Sequence, residues 1–209
     1  MDKLLVGIGF IVGTALVTLA LPRLVGDILL VPGNAYFSGV GGKKSDRSKK
    51  LDVAISSRQA ALVWSDNGRI WRELGISQLK KAQLSGFRSA KGRIYLADAK
   101  RALQEGLIRS PGNPFAWSRL AYIEYVSRQP SKSIAGPLKM SLVTGEHEPS
   151  LIISRLGLAL LIWDDLGADV KAMFLKQLAW ASKTNPKGLR RLARRTRTTK
   201  LMNRLRAGY

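Results

Sequence analysis

The sequence predicts an all-α protein: one membrane-spanning helix followed by a series of antiparallel helical hairpins. Three observations carry this expectation. Leu4–Leu21 is an unbroken run of 18 residues without a charge. From Leu51 onward apolar residues recur near the 3.6-residue helical period, and no stretch alternates with period 2 for long enough to argue a strand. Pro and Gly punctuate the helical stretches, with Pro111, Pro149 and Pro186 spaced 38 and 37 residues apart. Periods of that length are typical of stacked helical hairpins.

Composition narrows the chemistry. The 209 residues hold 35 Lys and Arg against 14 Asp and Glu, a formal net charge of +21, with no Cys and a single His, His147. Neither a disulfide framework nor a Cys/His zinc site can be built. No cofactor is expected. An apolar fraction of 45% is ordinary for a folded domain. The length allows one modest domain with appendages.

The first element is the anchor. Leu4, Phe10 and Leu21 mark the start, body and end of a run that meets the lower limit for crossing a hydrocarbon core of about 30 Å. A cleaved signal peptide is the rival reading. It would have a shorter apolar region ending in small residues of Ala-x-Ala type, whereas this run ends Thr-Leu-Ala-Leu-Pro. Leu24–Val31 is a second apolar stretch, interrupted by Asp27, and is expected at the interface. Gly9 and Gly13 have the Gly-x-x-x-Gly spacing that lets helices approach, although Gly is common in membrane helices. The flanking charges nearly balance, so the positive-inside rule leaves the orientation open.

Val31-Pro32-Gly33-Asn34 is a turn signal, and residues 33–50 read as a basic Gly/Ser/Lys linker. Helices follow over Leu51–Trp64, Ile70–Phe87, Ile94–Ile108, Phe115–Arg128, Ser133–Thr144, Leu151–Asp165 and Ala168–Ser182, with Asn185-Pro186 opening the last segment. Pro137 is expected within about the first turn of its helix, where proline is tolerated. Trp64, Trp71, Trp117, Trp163 and Trp180 fall mid-helix on apolar stripes, and core packing is expected for most of them.

Ala99, Leu103 and Gly106 supply small, large and small residues as the second helix of a tetratricopeptide repeat does, and Pro111 matches its closing proline. Trp117, Leu120 and Ala121 match the first helix of the next repeat. Small residues let antiparallel helices approach, and the Trp fills the groove between them. The resemblance decays elsewhere: Glu124 stands where Tyr is usual, with Tyr125 beside it. It implies divergent tetratricopeptide-like hairpins stacked as an α-solenoid.

The chain also resembles single-pass membrane proteins of VpsP type, which are encoded with exopolysaccharide biosynthesis and O-antigen-ligase-like genes. The matching stretches are Leu21-Pro22-Arg23, Pro32-Gly33-Asn34, Ser57–Trp64, Asn113–Trp117, Met140–Gly145 with Glu148-Pro149, and Arg155-Leu156 leading into Ile162-Trp163. None is a catalytic motif. The resemblance implies a scaffold accessory to exopolysaccharide or O-antigen-type assembly, with partners among the polymerase, ligase or export machinery. It implies a bacterial inner-membrane protein whose folded domain is periplasmic, with a cytoplasmic domain as the alternative.

The candidate catalytic groups are weak. His147 lies in a Gly-Glu-His-Glu-Pro turn. Ser77-Gln78-Leu79-Lys80 and Ser65-Asp66-Asn67 match penicillin-binding motifs in reversed order and without Lys-Thr-Gly. Gly42-Lys43-Lys44-Ser45 lacks the spacing of a phosphate loop. Asp164 and Asp165 are adjacent, so on a helix they diverge. No enzyme is expected.

The strongest chemical signal is the tail, residues 183–209, which holds ten Lys or Arg and no acid. Arg190, Arg191, Arg194, Arg195, Arg197, Lys200 and Arg204 are the candidate polyanion-binding residues. Leucines interleave them, as in an amphipathic helix lying on an anionic surface. Anionic lipid and acidic polysaccharide fit such a tail. Nucleic acid ranks behind them, because only Tyr209 is available for base stacking. A solvated tail that keeps the domain soluble is the plain alternative. The expected organisation is therefore an anchor over 1–32, a linker over 33–50, a helical domain over 51–182 and the tail.

Overall fold

The computed structural model describes residues 2–37 and 44–207, and every regular element among them is helical. The linker residues 38–43 and Tyr209 lie outside the described residues. The chain divides into two compact units, Met1–Arg109 and Ser110–Tyr209. The division falls inside the segment the sequence reads as one domain, and the basic tail belongs to the second unit.

Unit 1 comprises α1 (Asp2–Leu30), a 3-10 turn at Val31–Gly33, α2 (Asn34–Phe37), α3 (Lys44–Trp64), α4 (Gly68–Ser85) and α5 (Ala90–Arg109). The apolar helix is longer than the uncharged run. It continues through Pro22 to Leu30, so Leu24–Leu30 belongs to the same helix as the uncharged run. The proline removes one backbone hydrogen bond, but the following turns are held by packing. Leu30 is buried with Ala61 and Ile70, and Leu29 and Leu62 close over them. The described part of α1 before Pro22, including Phe10 and Leu21, is exposed. Gly9 and Gly13 face open space. The helix from Gly7 is long and apolar enough to cross a membrane.

Helix α3 begins at Lys44, seven residues before the apolar period starts at Leu51. Lys81 of α4 holds this first stretch by bonding Ser48 Oγ (2.8 Å) and Asp52 Oδ2 (2.6 Å). These residues therefore belong to the fold rather than to a linker. Asn67 caps α4 by accepting from the Arg69 N–H.

Unit 2 comprises α6 (Pro114–Val126), α7 (Ser131–Thr144), α8 (Pro149–Leu161), a 3-10 turn at Trp163–Asp165, α9 (Ala168–Thr184), α10 (Pro186–Thr196) and α11 (Thr199–Ala207). Pro149 and Pro186 open helices rather than close them, as Pro114 does. Each follows a capping residue, Asn113, Glu148 or Asn185, whose side chain accepts a backbone N–H of the first turn. Proline suits that position because its missing N–H has no helical partner there. Pro137 lies in the second turn of α7. One apolar core runs from Ala121 through Leu138, Leu142, Leu156, Phe174 and Leu178 to Leu192 and Met202.

None of the five tryptophans is fully buried. Trp64 and Trp180 are exposed and the other three are half-buried. Trp163 packs, partly buried, against the core of unit 2, whereas Trp71 and Trp117 turn their polar indole N–H outward to a partner. Trp71 Nε1 donates to Asp66 Oδ1 at 2.7 Å and Trp117 Nε1 to the Pro111 carbonyl at 2.7 Å. Both rings therefore lie at helix ends with their N–H turned toward a loop.

Candidate binding groove and cationic face

The residues singled out for hairpin packing make one close pair. Ala99, Leu103 and Gly106 of α5 are buried against α4. A Cβ on Gly106 would lie 3.2 Å from the Gly68 carbonyl and the Arg72 amide. Gly75 of α4 reciprocates, since a Cβ there would lie 2.8 Å from Leu103 Cγ. In unit 2, Leu120 and Ala121 are buried, Trp117 is half-buried and Pro111 is exposed.

Two buried arginines were missed as core residues. Arg58 is 1% exposed and Arg155 0%. Arg58 donates from Nε and Nη2 to Glu73 Oε2 (3.2 and 3.0 Å), from Nη2 to Asn34 Oδ1 (2.7 Å) and from Nη1 to the Leu30 carbonyl (3.2 Å). Its guanidinium also lies 4.6 Å from the Phe37 ring centre. One side chain thus ties the end of α1, the turn after it and α4 together. Gly33 makes room: a Cβ there would collide with Arg58 Nη1 and Ser57 Oγ, and would lie 2.9 Å from Ala54 Cα.

Among the described residues Arg155 has no carboxylate in hydrogen-bond contact. It donates to Ser141 Oγ (3.0 Å) and to the carbonyls of Ser141 (2.6 Å) and Gly145 (2.8 Å), while Ser141 Oγ donates to the Pro114 carbonyl (2.7 Å). Burial pulls its pKa down to about 10, against the opposing pull of Glu148. A sequence signal exists for both residues. Arg58 completes the helical stripe Leu51, Ala54, Arg58, Ala61, and Arg155 completes Ile152, Arg155, Ala159.

A groove of about 580 Å³ lies between α6, α8 and α10 of unit 2. Tyr122 and Tyr125 form one wall, Leu158 and Leu161 line it from α8, and Arg195 and Arg197 stand on the third side. Gly157 lets α8 and α10 approach, because a Cβ there would lie 3.0 Å from Leu192 Cδ1. Partial burial raises the Tyr122 pKa, Tyr125 adds to the rise, and the Arg195 charge opposes it. The lining is aromatic and aliphatic with a cationic edge.

All seven candidate polyanion-binding residues, Arg190, Arg191, Arg194, Arg195, Arg197, Lys200 and Arg204, are exposed on or just after α10 and on α11. Among the described residues none of them has a carboxylate within ion-pair distance. The interleaved apolar residues face the other way: Leu189, Leu192, Ala193 and Met202 are buried in the core. The expected helix lying with its apolar face in a lipid surface does not form in this fold, because that face is already packed. What remains outward is charge.

The weak catalytic candidates stay apart. Ser77 is fully buried and its hydroxyl donates to the Glu73 carbonyl (2.9 Å). His147 is exposed in the loop before α8. Asp165 accepts from Ser131 Oγ (2.6 Å). In the Ser65-Asp66-Asn67 stretch, Asn67 is a helix cap, and hydrogen bonds from Arg109 and Trp71 hold the Asp66 carboxyl below its ordinary range. Gly42 and Lys43 lie outside the described residues. Among the described residues no cluster of His, Asp and Glu is arranged to hold a metal ion. No protein-family model matches the chain, and no curated protein matches it significantly.

Proposed function

We propose that this chain is a membrane-anchored, non-enzymatic scaffold whose tetratricopeptide-like hairpins hold a protein partner of an exopolysaccharide or O-antigen-type assembly machine at the bacterial inner membrane. The groove of unit 2 is the observation that carries the reading. Tyrosine walls, a leucine lining and an arginine edge suit an extended apolar segment bearing acidic residues, since aromatic and arginine anchors dominate such interfaces. The VpsP-type resemblance supplies the polysaccharide context and favours a periplasmic domain.

A photo-cross-linking residue at Tyr125, in the full-length chain in cells, tests this. The expected result is one discrete protein adduct, lost in Leu161→Asp and retained in Arg190→Glu/Arg191→Glu. An adduct pattern unchanged by Leu161→Asp would overturn the groove as the site. Alkaline phosphatase joined after Tyr209 should be active; a cytoplasm-active fluorescent reporter lighting up instead would overturn the periplasmic placement.

The cationic face favours a second reading, an electrostatic binder of anionic lipid. Each basic residue near an anionic surface contributes about 1 kcal/mol. Replacing Arg190, Arg191, Arg194 and Arg204, none of which lines the groove, by Gln should then weaken binding to phosphatidylserine vesicles by roughly 10²–10³-fold, with little effect on the Tyr125 adduct.

A further inference from the structure

We propose that the crevice between α9, α10 and α11 is a discrete site for one anionic amphiphile, a phosphate monoester carried on an aliphatic chain. Arg190 and Arg194 hold the phosphate, and an apolar floor holds the start of the chain. The inference deepens the anionic-lipid reading of the cationic face and rests on it.

A turn produces the crevice. Helix α10 ends at Thr196, and Arg197 follows in the left-handed region at φ 57°. The Arg197 backbone N–H is shared between the Ala193 and Arg194 carbonyls, which closes the helix and lets the chain turn into α11. Met202 of α11 joins Leu189 and Ala193 of α10 in the core. Between them and the end of α9 a crevice of about 320 Å³ remains. At about 30 Å³ for each water-sized group, it has room for roughly ten such groups, a phosphate and the first methylenes of a chain.

The helical period sorts the lining into floor and rim. Leu189 and Ala193 stand four apart on one stripe of α10 and, with Met202, form the apolar floor. Arg190 and Arg194 stand one residue on, about 100° round the helix, and form the rim with Thr199 and Asn203 of α11. Among the described residues none of these four rim side chains is engaged in a hydrogen bond or ion pair, and no acid lines the crevice.

Such a rim is unfavourable without an anion. Like charges four apart on a helix repel, and α10 carries two arginine pairs at that spacing, 190 with 194 and 191 with 195. The first pair alone borders the crevice. A phosphate monoester brings close to two negative charges and three acceptor oxygens, which suits two guanidiniums, each a planar set of donors. Thr199 is the first residue of α11, so the positive end of that helix borders the crevice as well. A bare anion would leave the floor wet. An aliphatic chain covers it, and the flexible thioether of Met202 adapts to the chain.

The test uses the full-length chain in phosphatidylcholine nanodiscs, titrated in a calorimeter with octyl phosphate or with inorganic phosphate against empty nanodiscs. Octyl phosphate should bind saturably and at least about tenfold more tightly than inorganic phosphate, since about two buried methylenes suffice for that. Arg190→Gln/Arg194→Gln should weaken octyl phosphate binding by at least about tenfold. Arg191→Gln/Lys200→Gln removes the same charge outside the crevice and should leave that binding within about twofold of the native chain. All four positions are exposed, so both variants are expected to fold. No saturable binding of octyl phosphate, equal affinity for inorganic phosphate, or equal weakening by the two double variants would overturn the site. If the site alone fails, the native chain still binds phosphatidylserine vesicles; absence of that binding would overturn the anionic-lipid reading together with the site.

Discussion

The two buried arginines each stand on the apolar stripe of their helix and are balanced in different ways. Arg58 in unit 1 meets a carboxylate, an amide oxygen, a carbonyl and an aromatic face. Arg155 in unit 2 meets a hydroxyl and two carbonyls, with no carboxylate among the described residues in contact. The first bonds across elements far apart in sequence, from Leu30 to Glu73. The second bonds within one hairpin, from α8 to the end of α7. A buried cation paired with an anion makes the pair interdependent, so removing one member strands the other. A buried cation held by dipoles leaves only neutral acceptors behind. Unit 1 uses its arginine to fix the apolar helix to the fold. Unit 2 uses its arginine to close the loop between α7 and α8.

The sharpest break of that comparison is Arg58→Met. It leaves Glu73 mostly buried with only the weaker Arg69 contact (3.9 Å) and frees the Leu30 carbonyl. A loss of about 3 kcal/mol is expected, with new proteolytic cleavage after Leu30 in detergent-solubilised full-length protein. Gly33→Ala should reproduce much of this through overpacking, at about 1–3 kcal/mol. Its cleavage pattern should match that of Arg58→Met if both changes release the same joint.

Arg155→Met should cost less, about 1–3 kcal/mol, because neutral oxygens are what it leaves unpaired. Its pH dependence has a defined sign. The folded pKa lies below the unfolded one, so the unfolded chain holds the proton more tightly. The cost of burying the charge is therefore fully present below the folded pKa of about 10 and is relieved as pH rises through it. Denaturant unfolding by circular dichroism should show the native chain gaining stability over Arg155→Met between about pH 9 and pH 11.5. A gap that narrows over that range would contradict the assignment. The smallest effect belongs to Arg109→Ala, which removes exposed contacts to Asp66 and Glu105. About 0.5 kcal/mol is expected.

The comparison also explains what was legible in the sequence. The helical periods and the Gly and Pro breaks located most helices to within a few residues, because local amphipathic patterning determines them. The direction of the punctuation was harder. Pro149 and Pro186 read as stops and act as starts, and only the capping Glu148 and Asn185 distinguish the two. The first turns of α3 were missed because Lys81 holds them from 33 residues away. The basic tail was legible as charge, but its leucines read as a lipid-facing stripe. Which surface a stripe covers is a tertiary fact, decided here by Phe174, Leu178 and their neighbours in the same core. The groove was not legible, since Tyr122, Leu161 and Arg195 come from three separate helices. Arg58 and Arg155 were legible in principle as charges on an apolar period.

The central claim is that the two units address different partners, unit 1 the bilayer and unit 2 a protein. It is tested most directly by placing the same photo-cross-linking residue at Phe10, on the exposed apolar stretch of α1, in one full-length chain and at Tyr125 in another, and weighing the adducts formed in cells. The expected result is a lipid-sized mass increase from position 10 and a protein adduct from position 125. The same class of adduct at both positions, or a protein at 10 and lipid at 125, would contradict it.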